Sequence, residues 1–274
     1  MRPFLAAAVS GALALGAGAA LAQTPAPADP GFGIALEPGF FGPDTQVTLG
    51  AAAGFRPAYA GSDATVGTVL PFIDAVWRDR LFFTTRGGPE IGVQITQDRA
   101  FRFGVGLDYA FGRDQDDNRR LFGTGDIDRT LRARAFASTG FGPITISAFA
   151  AQDIENNGHG LTFGGDIEYR TRLTPQVSVF AGPGLSFIDG ENMRTFFGVT
   201  PGQAARSGGQ LRAYAPEGGL RDLRFSLGAV YTPTRNIVVL PRLTVLQLMG
   251  DAADSPLTQS ETQVIGLVTV AWRF

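Results

Sequence analysis

Apolar and polar residues alternate with a period of two along much of this chain, which is the signature of half-exposed β-strands. The run Ala100 to Gly112 is the clearest case. Phe101, Phe103, Val105, Leu107, Tyr109 and Phe111 face one way, while Arg102, Gly104, Gly106, Asp108 and Ala110 face the other. The last residues, Glu261 to Phe274, repeat the pattern. Val264, Val268, Val270, Trp272 and Phe274 form one face, with Gly266 as a gap, and Gln263, Thr269 and Arg273 lie opposite.

The same alternation predicts strands over Gln46 to Phe55, Val66 to Trp77, Arg80 to Arg86, Glu90 to Thr96, Asp128 to Thr139 and Pro143 to Gln152. Further strands follow over His159 to Leu173, Val177 to Phe187, Arg221 to Thr232 and Asn236 to Met249. With the two described above, this makes about twelve strands, an even number, as in bacterial outer-membrane barrels. Alternate connections are tight turns: Arg78-Asp79, Gln97 to Arg99, Gly140 to Gly142, Thr174 to Gln176 and Pro233 to Arg235. The others are mostly long, the longest being Ile188 to Leu220. If both termini lie on one side, every tight turn but Gly87-Gly88 sorts to that side, which gives short periplasmic turns and long outer loops. A soluble β-sandwich also alternates, but it has no reason to sort its loops by length.

Ion pairing separates the two folds further. In His159 to Leu173, Asp166, Glu168, Arg170 and Arg172 occupy successive positions on one face. Four charges in a row are costly unless they meet partners, and inside a barrel acids and bases of neighbouring strands can meet across the lumen. Arg102, Asp108, Arg132 and Arg134 belong to the same inward set. These eight residues are the candidate lumen lining. They read either as the selectivity lining of a small-solute or drug-permeable channel or as a salt-bridged filling. The narrow lumen of about twelve strands, with inward Phe136 and Phe180, favours the filling.

The first residues read as a secretion signal. Arg2 precedes the apolar run Phe4 to Ala19, and Ala20-Leu21-Ala22 is an A-x-A cleavage site. Residues 1–22 are thus expected to be removed, 23–45 to form a flexible N-terminal segment, and 46–274 to form the barrel. Beyond the leader no stretch reaches the about 18 apolar residues a helical span requires. Only a closed barrel would then satisfy every backbone group in lipid.

Composition agrees with that reading. The chain has 274 residues, 37 of them glycine and 22 phenylalanine, a mix suited to short strands with aromatic faces. It contains no cysteine, which excludes disulfides and thiolate metal sites, and its net charge of −2 offers nothing to nucleic acid. All its basic residues are arginine.

Candidate chemistry is sparse. The single histidine, His159, has no G-x-S-x-G or spaced partner, so a rim or lumen hydrogen bond is expected of it rather than catalysis. Asp114, Asp116 and Asp117 lack the glycine and distant glutamate of an EF-hand loop and are expected to pair with Arg113, Arg119 and Arg120. No metal or cofactor is expected.

The loops carry an ordered set of motifs: R-P-A-Y-A-G-S-D at Arg56 to Asp63, G-R-D-Q-D-D-N at Gly112 to Asn118 and G-D-I-D at Gly125 to Asp128. F-F-G-V-T-P-G-Q-A-A-R-S-G at Phe196 to Gly208, G-D-A-A-D-S-P at Gly250 to Pro256 and the terminal W-R-F complete it. In this order the chain resembles the family of MltA-interacting proteins, also called the MipA/OmpV family, from about Gln46 to the end. The resemblance implies an outer-membrane protein surrounded by lipid and lipopolysaccharide. It implies a scaffold that joins a lytic murein transglycosylase to a murein synthase, and it supplies no catalytic residues. The final strand, through Val270, Trp272 and Phe274, resembles the C-terminal signal read by the barrel assembly machinery.

Overall fold

The computed structural model describes residues 45–96 and 101–274. The expected signal peptide, the N-terminal segment up to residue 44 and the turn from Gln97 to Ala100 lie outside the described residues. Twelve strands run β1 (Thr45–Pro57), β2 (Thr65–Trp77), β3 (Leu81–Thr84), β4 (Glu90–Gln94), β5 (Phe101–Ala110) and β6 (Thr130–Phe141). They continue as β7 (Ile144–Asp153), β8 (Leu161–Thr174), β9 (Val177–Ile188), β10 (Gly219–Tyr231), β11 (Ile237–Leu248) and β12 (Thr262–Arg273). Each pairs antiparallel with its sequence neighbours, and β1 pairs with β12 from Thr48 opposite Arg273 to Phe55 opposite Gly266, which closes the barrel. Closure leaves no first or last edge, the condition for a sheet in lipid. Phe274 extends the seam by donating its N–H to the Val47 carbonyl at 2.9 Å.

The pleat sends the two faces to different solvents. Outward residues such as Leu107, Ile167, Phe225, Val268 and Val270 are exposed and apolar around the wall. Both tryptophans, Trp77 and Trp272, stand with Tyr169 and Tyr231 toward the tight-turn end. An aromatic girdle at that height is what a membrane–water interface selects. Inward residues are small, polar or phenylalanine. Phe136 and Phe180 each lie over a neighbouring-strand glycine, Gly104 and Gly228. A Cβ on either glycine would come within 2.5 Å of the ring, so the missing side chain is what lets the ring lie across the lumen.

At the other end, the outer connections fold into a layer of their own. The longest, which the sequence reading left without structure, contains helices α1 (Gly190–Phe197) and α2 (Pro201–Arg206). Asp189 caps α1 by accepting the Asn192 N–H at 2.9 Å, and Thr200 with Gln203 forms a capping box on α2, which starts on Pro201. A third short helix, α3 (Gly250–Ala253), lies in the last outer connection. Met193, Phe196, Phe197 and Ala252 pack onto Ile188, Leu246 and Leu248 at the top of the wall. A second core joins Ala58, Tyr59, Leu121, Val199, Leu211 and Leu257 from four different connections.

Candidate functional site

Three groups of polar side chains organise the lumen. In the first, Arg132 on β6 grips Asp108 on β5 with two bonds, Nε to Oδ1 at 2.7 Å and Nη2 to Oδ2 at 2.9 Å. Arg134, two residues on and therefore on the same face, reaches Asp108 at 3.4 Å and Glu90 of β4 at 3.5 Å. Its guanidinium also lies 4.6 Å from the centre of the Phe149 ring. Glu90, Asp108 and Arg132 are direct cross-strand partners, so the antiparallel register itself builds this cluster.

In the second group Asp166 of β8 meets Arg224 of β10 through two contacts of 2.9 Å, with the intervening β9 contributing Gly184. Arg224 also donates to Ser186 at 2.6 Å and to Asp222 at 3.2 Å, and Asp222 accepts from Arg221 at 2.6 Å. Ser186, Arg221, Asp222 and Arg224 are buried, and Asp166 is half-buried. Bidentate geometry and satisfied remaining oxygens offset the cost of taking such charges out of water.

The third group joins Glu168 and Arg170, neighbours on one face of β8, at 2.7 Å. Arg170 and Arg242 of β11 lie 5.4 and 5.3 Å from the Phe180 ring centre. Of the remaining candidates, Arg102 stands in the cross-strand row of Ser138, Ser147 and Asp166, and Arg172 is exposed beside the β8–β9 turn, apart from the three groups. Sequence reasoning overlooked Arg224, Asp222, Glu90 and Arg242. Arg224 and Asp222 alternate against Leu223 and Phe225 as plainly as Glu168 does against Ile167, so the same rule finds them. Glu90 stands at the first position of its strand, directly after Pro89.

Above the lumen, the outer layer is tied by side chains that reach between connections. Tyr59 donates to the Leu257 carbonyl at 2.8 Å, Arg113 to the Phe196 carbonyl at 2.7 Å, and Ser255 to the Phe197 carbonyl at 2.6 Å. Gln203 donates to Thr124 O at 2.6 Å, and Tyr214 to Asp251 O at 3.0 Å. Burial lowers the Arg113 guanidinium to about 10, with Tyr59 and Asp117 acting against the shift. The acidic connection departs from expectation. Asp114 accepts from the Asp116 N–H at 2.8 Å and caps a short 3-10 turn, whereas Arg113 and Arg120 donate to the carbonyls of Phe196 and Pro256. Carbonyls orphaned inside the packed layer need a donor more than exposed aspartates need a counter-ion.

His159 is 1% exposed. Its Nε2 donates to the Asp128 carbonyl at 2.7 Å, its backbone N–H donates to Asp153 at 3.0 Å, and its ring meets Phe196 edge-on at 5.0 Å. A carbonyl acceptor fixes the tautomer with hydrogen on Nε2. Burial holds this imidazole below its ordinary value, aided by the Arg132 charge and opposed by the Asp128 carbonyl. The residue fastens the connection after β7 to the layer.

The chain is similar to several outer-membrane proteins of known structure. The translocator domain of autotransporter NalP from Neisseria meningitidis is 12% identical, with 85% of this chain and 89% of that one covered and a TM-score of 0.39. OmpF of Salmonella typhi in complex with daunomycin is 9% identical, covering 84% and 97% at a TM-score of 0.38. OprD of Pseudomonas aeruginosa is 13% identical, covering 84% and 65% at 0.37. No curated protein matches the chain. The pattern of the family described as "MltA-interacting protein MipA" matches residues 49–274, the whole barrel from β1 to the last residue. An outer-membrane barrel by fold, the chain belongs to the MltA-interacting protein family.

Proposed function

We propose that this protein is a non-enzymatic scaffold of the outer membrane, anchored by its barrel and offering its periplasmic side to a murein transglycosylase of the MltA type and to a murein synthase. One observation carries the reading: the outer connections pack into a layer with buried cores of its own, founded on residues at the top of the wall. Ion pairs and phenylalanines fill the lumen beneath it. A barrel packed in this way serves as an anchor rather than a pore. The family's description supplies the partner class. The tight turns offer little surface, so segment 23–44, exported behind a leader cleaved after Ala22, would extend the docking face. The barrel assembly machinery would read the strand ending in Val270, Trp272 and Phe274.

Affinity capture from detergent-solubilised envelopes tests the reading. Recovery of a murein transglycosylase with the full chain, and its loss when residues 23–44 are replaced by a Gly/Ser linker, is the expected result. Capture that recovers neither a transglycosylase nor a synthase overturns it.

A further inference from the structure

The barrel wall is not equally tall all round. Strand β3 has four residues and β4 five, so each rises only about 14–17 Å along its own direction, against an apolar band of about 25 Å. Their neighbour β2 has thirteen. Its pairing with β3 runs from Trp77 opposite Leu81 to Asp74 opposite Thr84 and then ends on Thr85. The Thr85 N–H donates to the Ile73 carbonyl at 2.9 Å. Its hydroxyl accepts from the Ile73 N–H and donates to the Pro71 carbonyl, both at 2.9 Å. Pro71 has no N–H to satisfy, which suits a place where pairing stops.

Beyond Pro71, β2 continues to Thr65, bonded to β1 on one side and, among the described strands, to nothing on the other. Val69 lies on this free edge and is 75% exposed, the highest value among the large apolar residues of the wall. Strand β1 begins at the opposite end of the wall, where Thr45 pairs with Trp77.

The gap has an apolar outside, and between the inward Val66 and Leu70 it has one polar group behind it. Behind it, the Thr68 hydroxyl faces inward, buried and without a hydrogen-bond partner among the described residues. At its lower rim Arg86 pairs with Asp74 and lies 5.9 Å from the Phe72 ring, and Glu90 reaches Arg134. On the outer surface below that rim begins an apolar trough of about 640 Å³. It runs from Ile91 and Leu107 across Ala133, Ala135 and Ala150, whose small side chains form its floor. Free backbone groups in hydrocarbon are costly, so the edge demands a polar partner at membrane depth. An amphiphile meets both demands, its head bonding the edge and its tail lying in the trough.

The geometry points to a lateral site beside the free edge of β2, above the β3–β4 hairpin and in the outer half of the membrane, where an amphiphile binds from the bilayer with its polar head on the edge and its hydrocarbon tail in the trough. This goes beyond the anchoring role. With the outer connections packed together, the bilayer is the side from which such a molecule approaches. Free pairing groups would also admit a strand from a second copy, but an apolar trough beside the edge favours the amphiphile.

The chain has no cysteine, so single-cysteine variants report one site each. Thr68→Cys and Leu70→Cys place a thiol behind the free edge, and Ser226→Cys places one behind the fully paired wall of β9, β10 and β11. Each full-length variant, its folding verified by heat-modifiable migration, is reconstituted in phosphatidylcholine–phosphatidylglycerol vesicles with a hexadecyl maleimide confined to the bilayer. Modification at position 68 or 70 at least about tenfold faster than at 226 is expected, since thiol reactivity follows access. If Thr68→Cys does not fold, Leu70→Cys decides alone. Equal rates at all three positions overturn the proposal. So does faster labelling at 68 and 70 by a charged, water-borne maleimide, which would mean entry from the mouth. Labelling seen in one-barrel nanodiscs and lost in densely loaded vesicles would assign the edge to a second copy and equally overturn it.

Discussion

Asp166 and Arg224 sit two strands apart, yet their side chains meet in a bidentate pair because the residue between them is Gly184. A Cβ at Gly184 would stand 2.0 Å from the Asp166 carboxylate and 2.8 Å from the Arg224 guanidinium. The glycine is therefore part of the ion pair. Gly184→Ala is expected to separate the charges, and Arg224→Ala to leave the half-buried Asp166 and the buried Asp222 without their shared partner. Each would destabilise the barrel by roughly 3–5 kcal/mol. Replacing Asp166 and Arg224 together by Leu and Met should cost less, because Asp166 is no longer left without a partner and Asp222 keeps Arg221. The temperature of heat-modified gel migration ranks the three variants, and a double variant as unstable as the singles would refute the pairing account.

Acid should loosen the outer layer through His159. Its pKa in the folded protein lies below the ordinary 6.5, chiefly because it is buried. Between the lowered value and 6.5 the unfolded layer binds more protons than the folded one, so stability rises with pH across that window. The contribution is complete above 6.5 and is lost as pH falls toward the folded value. Amide exchange of residues 190–197 should accelerate as pH falls below 6.5, after correction for intrinsic exchange chemistry, and His159→Gln should remove that dependence.

The same layer rests on Phe197, which is fully buried between α1 and the top of the wall. Phe197→Ala should cost about 3–5 kcal/mol by opening a cavity. That loss should stay within the layer, making the outer connections sensitive to added protease while the heat-modifiable migration of the barrel persists.

At the seam the Phe274 N–H bonds Val47, while on the other side of β12 the Arg273 N–H bonds Asn236. Deleting Phe274 removes one closing bond and one aromatic residue from the final strand. The fraction of protein inserted in outer-membrane preparations should fall, whereas substitution by Tyr, which keeps both, should restore it.

The strands were legible because one physical contrast, lipid outside and a crowded polar lumen inside, repeats at every second residue. That contrast carried the strand count and the closed barrel. The outer layer obeys no such period. Its helices are announced only by caps, Asp189 before α1 and Thr200 with Gln203 at α2, short signals inside a stretch otherwise rich in glycine. The partner of Asp166 was hidden for another reason. Arg224 lies far along the chain, and only the barrel register brings the two to one height.

Planar-bilayer recording tests the packed outer layer and the filled lumen most directly. The folded chain should insert without conductance steps, and replacing residues 190–217 by a short Gly/Ser link together with Phe136→Ala and Phe180→Ala should produce them. Steady, ohmic conductance from the unaltered chain would contradict an anchor whose mouth is filled.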